Sequence, residues 1–242
     1  MSRVYADNVY PELVTEDLTL GASGDSVVVT SGASLNVNTL KDSGGNTIFT
    51  SNGSGVLSSV NSAFSSKPIL LTTETASSDV SLSFTSDIDS TYKVYIFSFF
   101  NIHASTDDAN FSFQANAVGE SGYNETMLTT FADAYHGASG TNANIEYNST
   151  YDQVSGTDFQ VLSFDMGIEN DENTSGTLYI FNPSSTVYST QFYCRTQTNN
   201  KDDYIVDAFS SGYFTTTSAL DEFQFKMSTG NIDAGTIKMY GL

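Results

Sequence analysis

The stretch Tyr92-Lys93-Val94-Tyr95-Ile96-Phe97-Ser98-Phe99-Phe100 decides the fold class. It is too apolar for a strand with one face in water, and its β-branched and aromatic residues favour extended backbone, so it reads as a central β-strand. A polar loop from Ala104 to Asn110 separates it from Phe111-Ser112-Phe113-Gln114-Ala115, whose alternation is that of a strand with one buried face.

Similar pieces continue on both sides. Ile69-Leu70-Leu71 and Val80-Ser81-Leu82-Ser83-Phe84 come before. Phe159 to Phe164, Thr177 to Phe181, Gln191 to Arg195, Asp203 to Val206, Tyr213 to Thr215, Glu222 to Met227 and Gly235 to Tyr240 follow. No window supplies good helix formers at a 3.6-residue spacing over ten or more residues. Roughly ten short strands predict an all-β fold, an antiparallel jelly-roll-like β-sandwich spanning residues 64–242. Within residues 116–158 the pattern is weaker. Tyr123, Met127, Leu128, Phe131 and Tyr135 fit one short helix inside a long, decorated insertion.

Residues 1–63 read differently. Short apolar pieces, Leu18-Thr19-Leu20, Val27-Val28-Val29, Leu35-Asn36-Val37, Ile48-Phe49 and Val56-Leu57, alternate with turn chemistry such as Ser43-Gly44-Gly45-Asn46 and Asn52-Gly53-Ser54-Gly55. Glycine and asparagine supply positive φ cheaply, so these are tight turns between small β rungs. One copy of such an arm buries too little apolar surface to offset its ordering entropy, which points to a homotrimeric stalk or to an arm laid along another protein. A flexible Gly/Ser linker is the plainer alternative. Val4, Tyr5, Val9, Tyr10 and Leu13 form an apolar and aromatic segment ahead of it, read either as an anchor or as a first strand.

Charge excludes several functions. With 8 Lys and Arg against 28 Asp and Glu the formal charge is −20, which repels a phosphate backbone and anionic lipid alike. No apolar run reaches the length needed to span a bilayer. The opening Met1-Ser2-Arg3-Val4-Tyr5-Ala6-Asp7 lacks the apolar core of a secretory signal. Nucleic acid and membrane are therefore not expected partners. The single cysteine, Cys194, beside Phe192 and Tyr193, is expected to be a buried strand residue.

Three phrases carry a resemblance. They are Asn38-Thr39-Leu40-Lys41-Asp42-Ser43-Gly44-Gly45-Asn46-Thr47-Ile48-Phe49-Thr50, the strand-loop-strand from Tyr92 to Gln114 with its loop His103 to Asn110, and the ending from Phe223 to Leu242. Together they resemble virion structural proteins of tailed bacteriophages, especially marine ones. The resemblance implies a virion-surface location reached without secretion, a trimeric tail-fibre, head-fibre or capsid-surface role, and other virion proteins as partners. It carries no catalytic signature.

The residues themselves supply little chemistry. His103 and His136 are the only histidines, and neither lies in a G-x-S-x-G elbow or an H-E-x-x-H helix. The acidic clusters Asp107-Asp108, Glu169 to Asn173 and Asp202-Asp203 lack calcium-loop spacing and read as solvated turns. No catalytic residue, metal or cofactor is expected. Tyr123, Tyr135, Tyr147 and Tyr151 concentrate in the insertion, where they are either glycan contacts or packing residues. The expected function is thus a non-enzymatic virion structural protein for assembly and surface display. A capsid cement without receptor binding and a lectin-like adhesion module are the alternatives.

Overall fold

The computed structural model describes residues 37–42, 44–51, 54, 57–60, 68–140 and 142–242. The chain divides into two compact units, Met1–Asn61 and Ser62–Leu242. Among the described residues no helix is long and apolar enough to cross a membrane.

In the first unit β1 (Thr39–Lys41), β2 (Thr47–Ser51) and β3 (Leu57–Val60) form an antiparallel three-stranded sheet in sequence order. The described part of the expected turn, Gly44 to Asn46, has a clear cause. Asp42 Oδ1 accepts from the amides of Gly44 and Asn46 at 2.9 and 2.8 Å, and Gly45 takes φ of 83°, which a side chain disfavours. Those bonds, led by the Asn46 side chain, hold the Asp42 carboxyl below its ordinary pKa. Leu40, Phe49 and Val60 fall in one register row across the sheet, and Leu40 is exposed.

In the second unit, β4 (Ile69–Thr75), β5 (Ser81–Phe84), β6 (Val94–Ala104) and β7 (Ala109–Ala117) are followed by β8 (Met127–Gly137), β9 (Ala143–Tyr147) and β10 (Val154–Gly156). Then come β11 (Gln160–Met166), β12 (Thr174–Phe181), β13 (Gln191–Asn199), β14 (Tyr204–Phe214), β15 (Leu220–Met227) and β16 (Ile232–Gly241).

Eight of these make a jelly roll. Strands β4-β5-β6-β7 pair rung by rung with β16-β15-β12-β11, so the chain doubles back as one long antiparallel ribbon. The ribbon then folds over: β16 also pairs β6, and β15 also pairs β7. The result is one sheet ordered β4-β16-β6-β12 facing another ordered β5-β15-β7-β11. Two insertions, β8 to β10 and β13 to β14, extend only the first sheet, in the order β12-β13-β14-β8 with β9 and β10 both against β8.

The core between the sheets is a phenylalanine cluster. Phe225 on β15 has ring centroids within 5.2 to 6.2 Å of Phe84, Phe97, Phe99, Phe111 and Phe113. All are buried, so hydrophobic transfer and ring-edge packing both favour this arrangement. Strand β6 keeps its inward rows through a change of phase: Tyr95, Phe97 and Phe99 point in, Phe100 and Asn101 form a bulge, and Ile102 and Ala104 point in again. Asn101 takes φ of 50°, and opposite it Gly235 at φ of 116° lies so close that a Cβ would meet the Asn101 carbonyl at 2.6 Å.

Two expectations need correction. Residues 127–137 are a strand, not a helix. Met127, Phe131 and Tyr135 recur every four residues, which suits a helix and a strand equally; the inward positions between them are the polar Thr129 and Asp133, which disguised the alternation. The two strands expected at 203–206 and 213–215 are the two ends of the single strand β14, Tyr204–Phe214. Its middle, Ala208-Phe209-Ser210-Ser211-Gly212, alternates small inward residues with outward ones and lacks a bulky inward signal. Cys194, as expected, is a buried strand residue, and burial pushes its thiol pKa far up.

Phe225→Ala should destabilise the fold by about 3–5 kcal/mol, the range for emptying a fully packed aromatic site. Chemical denaturation of the full chain measures this; a loss under about 1 kcal/mol would show that the cluster is not the keystone of the core.

Candidate functional site

The extended sheet overhangs the smaller one. Strand β13 still packs into the main core through Phe192 and Cys194, but beyond β11, the edge strand of the smaller sheet, parts of the inward faces of β14 and β8 have no second sheet above them. Phe131, Val206 and Ala208 form a separate small core there, packed with Val161 and Phe164 of β11 and with Tyr135, Tyr151 and Tyr204. A cleft of about 550 Å³ opens alongside, within the usual size range of small-molecule sites.

One wall is aromatic. Tyr151 packs against Phe131 and Phe164, each with centroids 5.1 Å away, and Tyr135 meets Tyr204 edge-on at 5.7 Å. The Tyr204 hydroxyl accepts from Asn142 Nδ2 at 2.8 Å, which ties β14 to the turn after β8. Tyr151 belongs to a single 3-10 turn, Ser149–Tyr151, whose first free amide is capped by the Asn148 side chain.

The other wall is acidic: Asp133, Glu146, Asp165 and Asp202 line it with Asn148 and Asn200. Asp133 is 1% exposed, and neither of its carboxylate oxygens has a hydrogen-bond partner. Asn148 stands near enough to favour the charge slightly without bonding geometry to either oxygen. Burial, and then the Glu146 charge, nonetheless hold the Asp133 pKa above its ordinary value. Asp165 moves the same way, through burial and the Asp108 charge, partly offset by Lys201. The Tyr151 phenol is pushed up to about 12 by burial and by the Asp165, Asp108 and Asp133 charges.

Of the four sequence-nominated tyrosines, the fold brings Tyr135 and Tyr151 into this cleft. Tyr147 lies on the opposite face of the sheet, in register with Ala132, its hydroxyl donating to Asp152. Tyr123 stands in a turn with φ of 50°, its amide donating to Asn116 Oδ1 at 2.6 Å, and does not line the cleft. Val4, Tyr5, Val9, Tyr10 and Leu13, and the stalk pieces before residue 37, lie outside the described residues. Sequence reasoning missed Asp133, Phe164, Asp165, Asn200 and Tyr204; a carboxylate at an inward position of β8 becomes visible only when its apolar residues are read in twos.

Asp107, Asp108, Glu169, Asp171, Asp202 and Asp203 are exposed, as expected of solvated turns, and Glu172 is the exception. Glu172 is buried, and its Oε2 accepts from the Glu169 amide at 2.8 Å. His103 bonds the Glu169 carbonyl through Nε2 at 3.0 Å. Among the described residues no group of three or more His, Cys, Asp or Glu side chains is placed to hold a metal ion.

A second surface lies on the outward face of the extended sheet. Register aligns Tyr179 with Tyr193, Arg195 with Phe209, and Gln191 with Tyr213 and Leu128. Tyr179 and Tyr193 stack at 4.7 Å, and Phe181 lies 5.7 Å from Tyr193. Arg195 donates to both Asp207 oxygens, at 2.8 and 2.6 Å, and places its guanidinium 4.8 Å from the centre of the Phe209 ring. Tyr193, Phe209, Tyr213, Leu128 and Ile205 are all exposed.

No protein-family model, curated protein or solved structure matches this chain.

Asp133 sets a pH signature. The unfolded chain releases this proton near 3.8, the folded chain only at higher pH. Between those values stability falls as pH rises, and above the folded value the loss is complete. Asp133→Asn should flatten that fall and raise the melting temperature at pH 7 above that of the parent chain. Scanning calorimetry from pH 3 to 8 reads it; an unchanged or lower melting temperature at pH 7 would contradict the assignment.

Proposed function

We propose that this chain is a non-enzymatic structural protein of a tailed-phage virion, a trimeric short appendage that displays a jelly-roll knob at the particle surface. The outward face of the extended sheet carries the reading. On a chain of charge −20, that face presents Tyr179, Tyr193, Phe209, Tyr213 and Leu128 in aligned rows, and its Asp207 is neutralised by Arg195. A highly acidic protein repels its own copies, so an aromatic, charge-balanced sheet face is where copies can meet. The small β unit with its exposed Leu40 supports a role for the N-terminal residues in the same assembly. Homotrimerisation and attachment to other virion proteins are the partnerships this reading requires.

A glycan-contacting adhesion role is favoured over a passive capsid cement by one observation, the aromatic and acidic cleft under the overhang. Tyr135 and Tyr151 are its glycan-facing tyrosines in this reading.

Light scattering on the full chain tests the assembly. The expected mass is three times the 26.1 kDa of one chain, falling to that of one chain in the double variant Tyr193→Glu, Phe209→Glu with an unchanged circular dichroism spectrum. Full-length protein that stays monomeric at tens of micromolar would overturn the trimeric appendage.

A further inference from the structure

The cleft has a feature that its packing does not explain. Asp133 is 1% exposed, lines the cleft, and has both oxygens without a hydrogen-bond partner. A buried carboxylate is normally paired or bonded, because desolvation without compensation is costly. Among the described residues only the nearby Asn148 side chain favours the charge, and it makes no bond to either oxygen. Of the cleft carboxylates Asp133, Glu146, Asp165 and Asp202, only Asp202 has an ion-pair partner there, Lys201 at 3.0 Å. The cleft is thus a net negative site, walled by aromatic rings, whose buried Asp133 has no bonded partner.

Two kinds of cation are attracted to such a place. A calcium ion needs six or more oxygens converging on a point, and no three of the described acidic, imidazole or thiol groups converge in that way. An organic ammonium needs less. One carboxylate takes its charge, amide and carbonyl oxygens take its remaining N–H groups, and aromatic faces stabilise what is left. Tyr135, Tyr151, Phe164 and Tyr204 provide the faces, Asn148 provides an amide oxygen that otherwise accepts only from Thr150, and Asn200, its oxygen taken by the Asp202 and Tyr204 amides, offers its Nδ2 donors. The same rings and amides suit the C–H face and hydroxyl groups of a pyranose, and the volume of about 550 Å³ exceeds what a lone amine would fill.

We propose that the cleft binds an amino sugar with a free amine, the ammonium held by Asp133 and the sugar ring laid against Tyr151 and Tyr204. The inference deepens the glycan-contact part of the proposed function and is independent of trimer formation, since every cleft residue comes from one chain. Burial is what makes the recognition selective: Asp133 can be matched only by a cation that enters the cleft, whereas exposed acids attract any positive solute. An N-acetylated sugar lacks the charge and leaves Asp133 unmatched.

Isothermal titration of the full chain at physiological salt tests this with three probes: the disaccharide of two β-1,4-linked glucosamines, its di-N-acetylated form, and lysine amide. The glucosamine disaccharide should bind, with both other probes at least roughly tenfold weaker, and Asp133→Asn should weaken it by at least roughly tenfold. The variant Asp107→Asn removes an exposed charge elsewhere and should leave affinity unchanged. Retained folding of Asp133→Asn is checked by its melting curve. The proposal falls if the disaccharide does not bind or if the acetylated form binds equally. Equal binding by lysine amide, or equal effects of the two charge removals, would also overturn it.

Discussion

Phe225 touches five other phenylalanine rings, drawn from both sheets of the jelly roll, and the rest of the domain is arranged around that contact. Aromatic burial of this kind is non-directional in its driving force but selective in geometry, so it fixes the spacing and alignment of the sheets without polar bonds. Once the sheets are clamped there, their unequal widths have a necessary outcome. The added strands β13, β14 and β8 run past the edge of the smaller sheet, and their inward faces cannot all be covered. Near β11 they are closed by Phe131, Phe164 and Val206; further out the same faces carry Asp133 and Tyr204 and border the cleft.

The inner and outer faces of those added strands have opposite characters. Along β14 the inward row is Tyr204, Val206, Ala208 and Ser210, while the outward row is Ile205, Asp207, Phe209 and Ser211. One sheet extension therefore builds two surfaces from alternate residues of the same strands. A substitution on either row leaves the other row's side chains in place, which lets the two surfaces vary separately.

The fold was legible where one physical signal dominated. Strands β6, β7, β15 and β16 show dense aromatic or alternating apolar residues, and the jelly-roll class follows from their number and length. Strand β8 was not legible, because a four-residue recurrence of Met127, Phe131 and Tyr135 satisfies both helical and strand periods and the intervening inward residues are polar. The cleft was half legible. Tyrosine density drew attention to Tyr135 and Tyr151, but Tyr147, only four residues from Tyr151, belongs to the other face because the chain turns at Asn148. Asp165, Asn200 and Tyr204 come from β11 and from either side of the turn between β13 and β14, and only the sheet order brings them to β8.

The doubled ribbon also sets when the domain can form. Strand β16, the last of the domain, inserts between β4 and β6, the first and third of the ribbon. Thr75 and Thr236, which bond through their hydroxyls at 3.2 Å, are 161 residues apart. During synthesis β4 and β6 must therefore wait, each with an unpaired edge, until the ribosome has delivered β16. Closure of this kind is slow in proportion to the loop it spans, and open edges are sites of mispairing between nascent chains. A dense acidic charge, which keeps neighbouring nascent chains apart during that wait, is the matching safeguard.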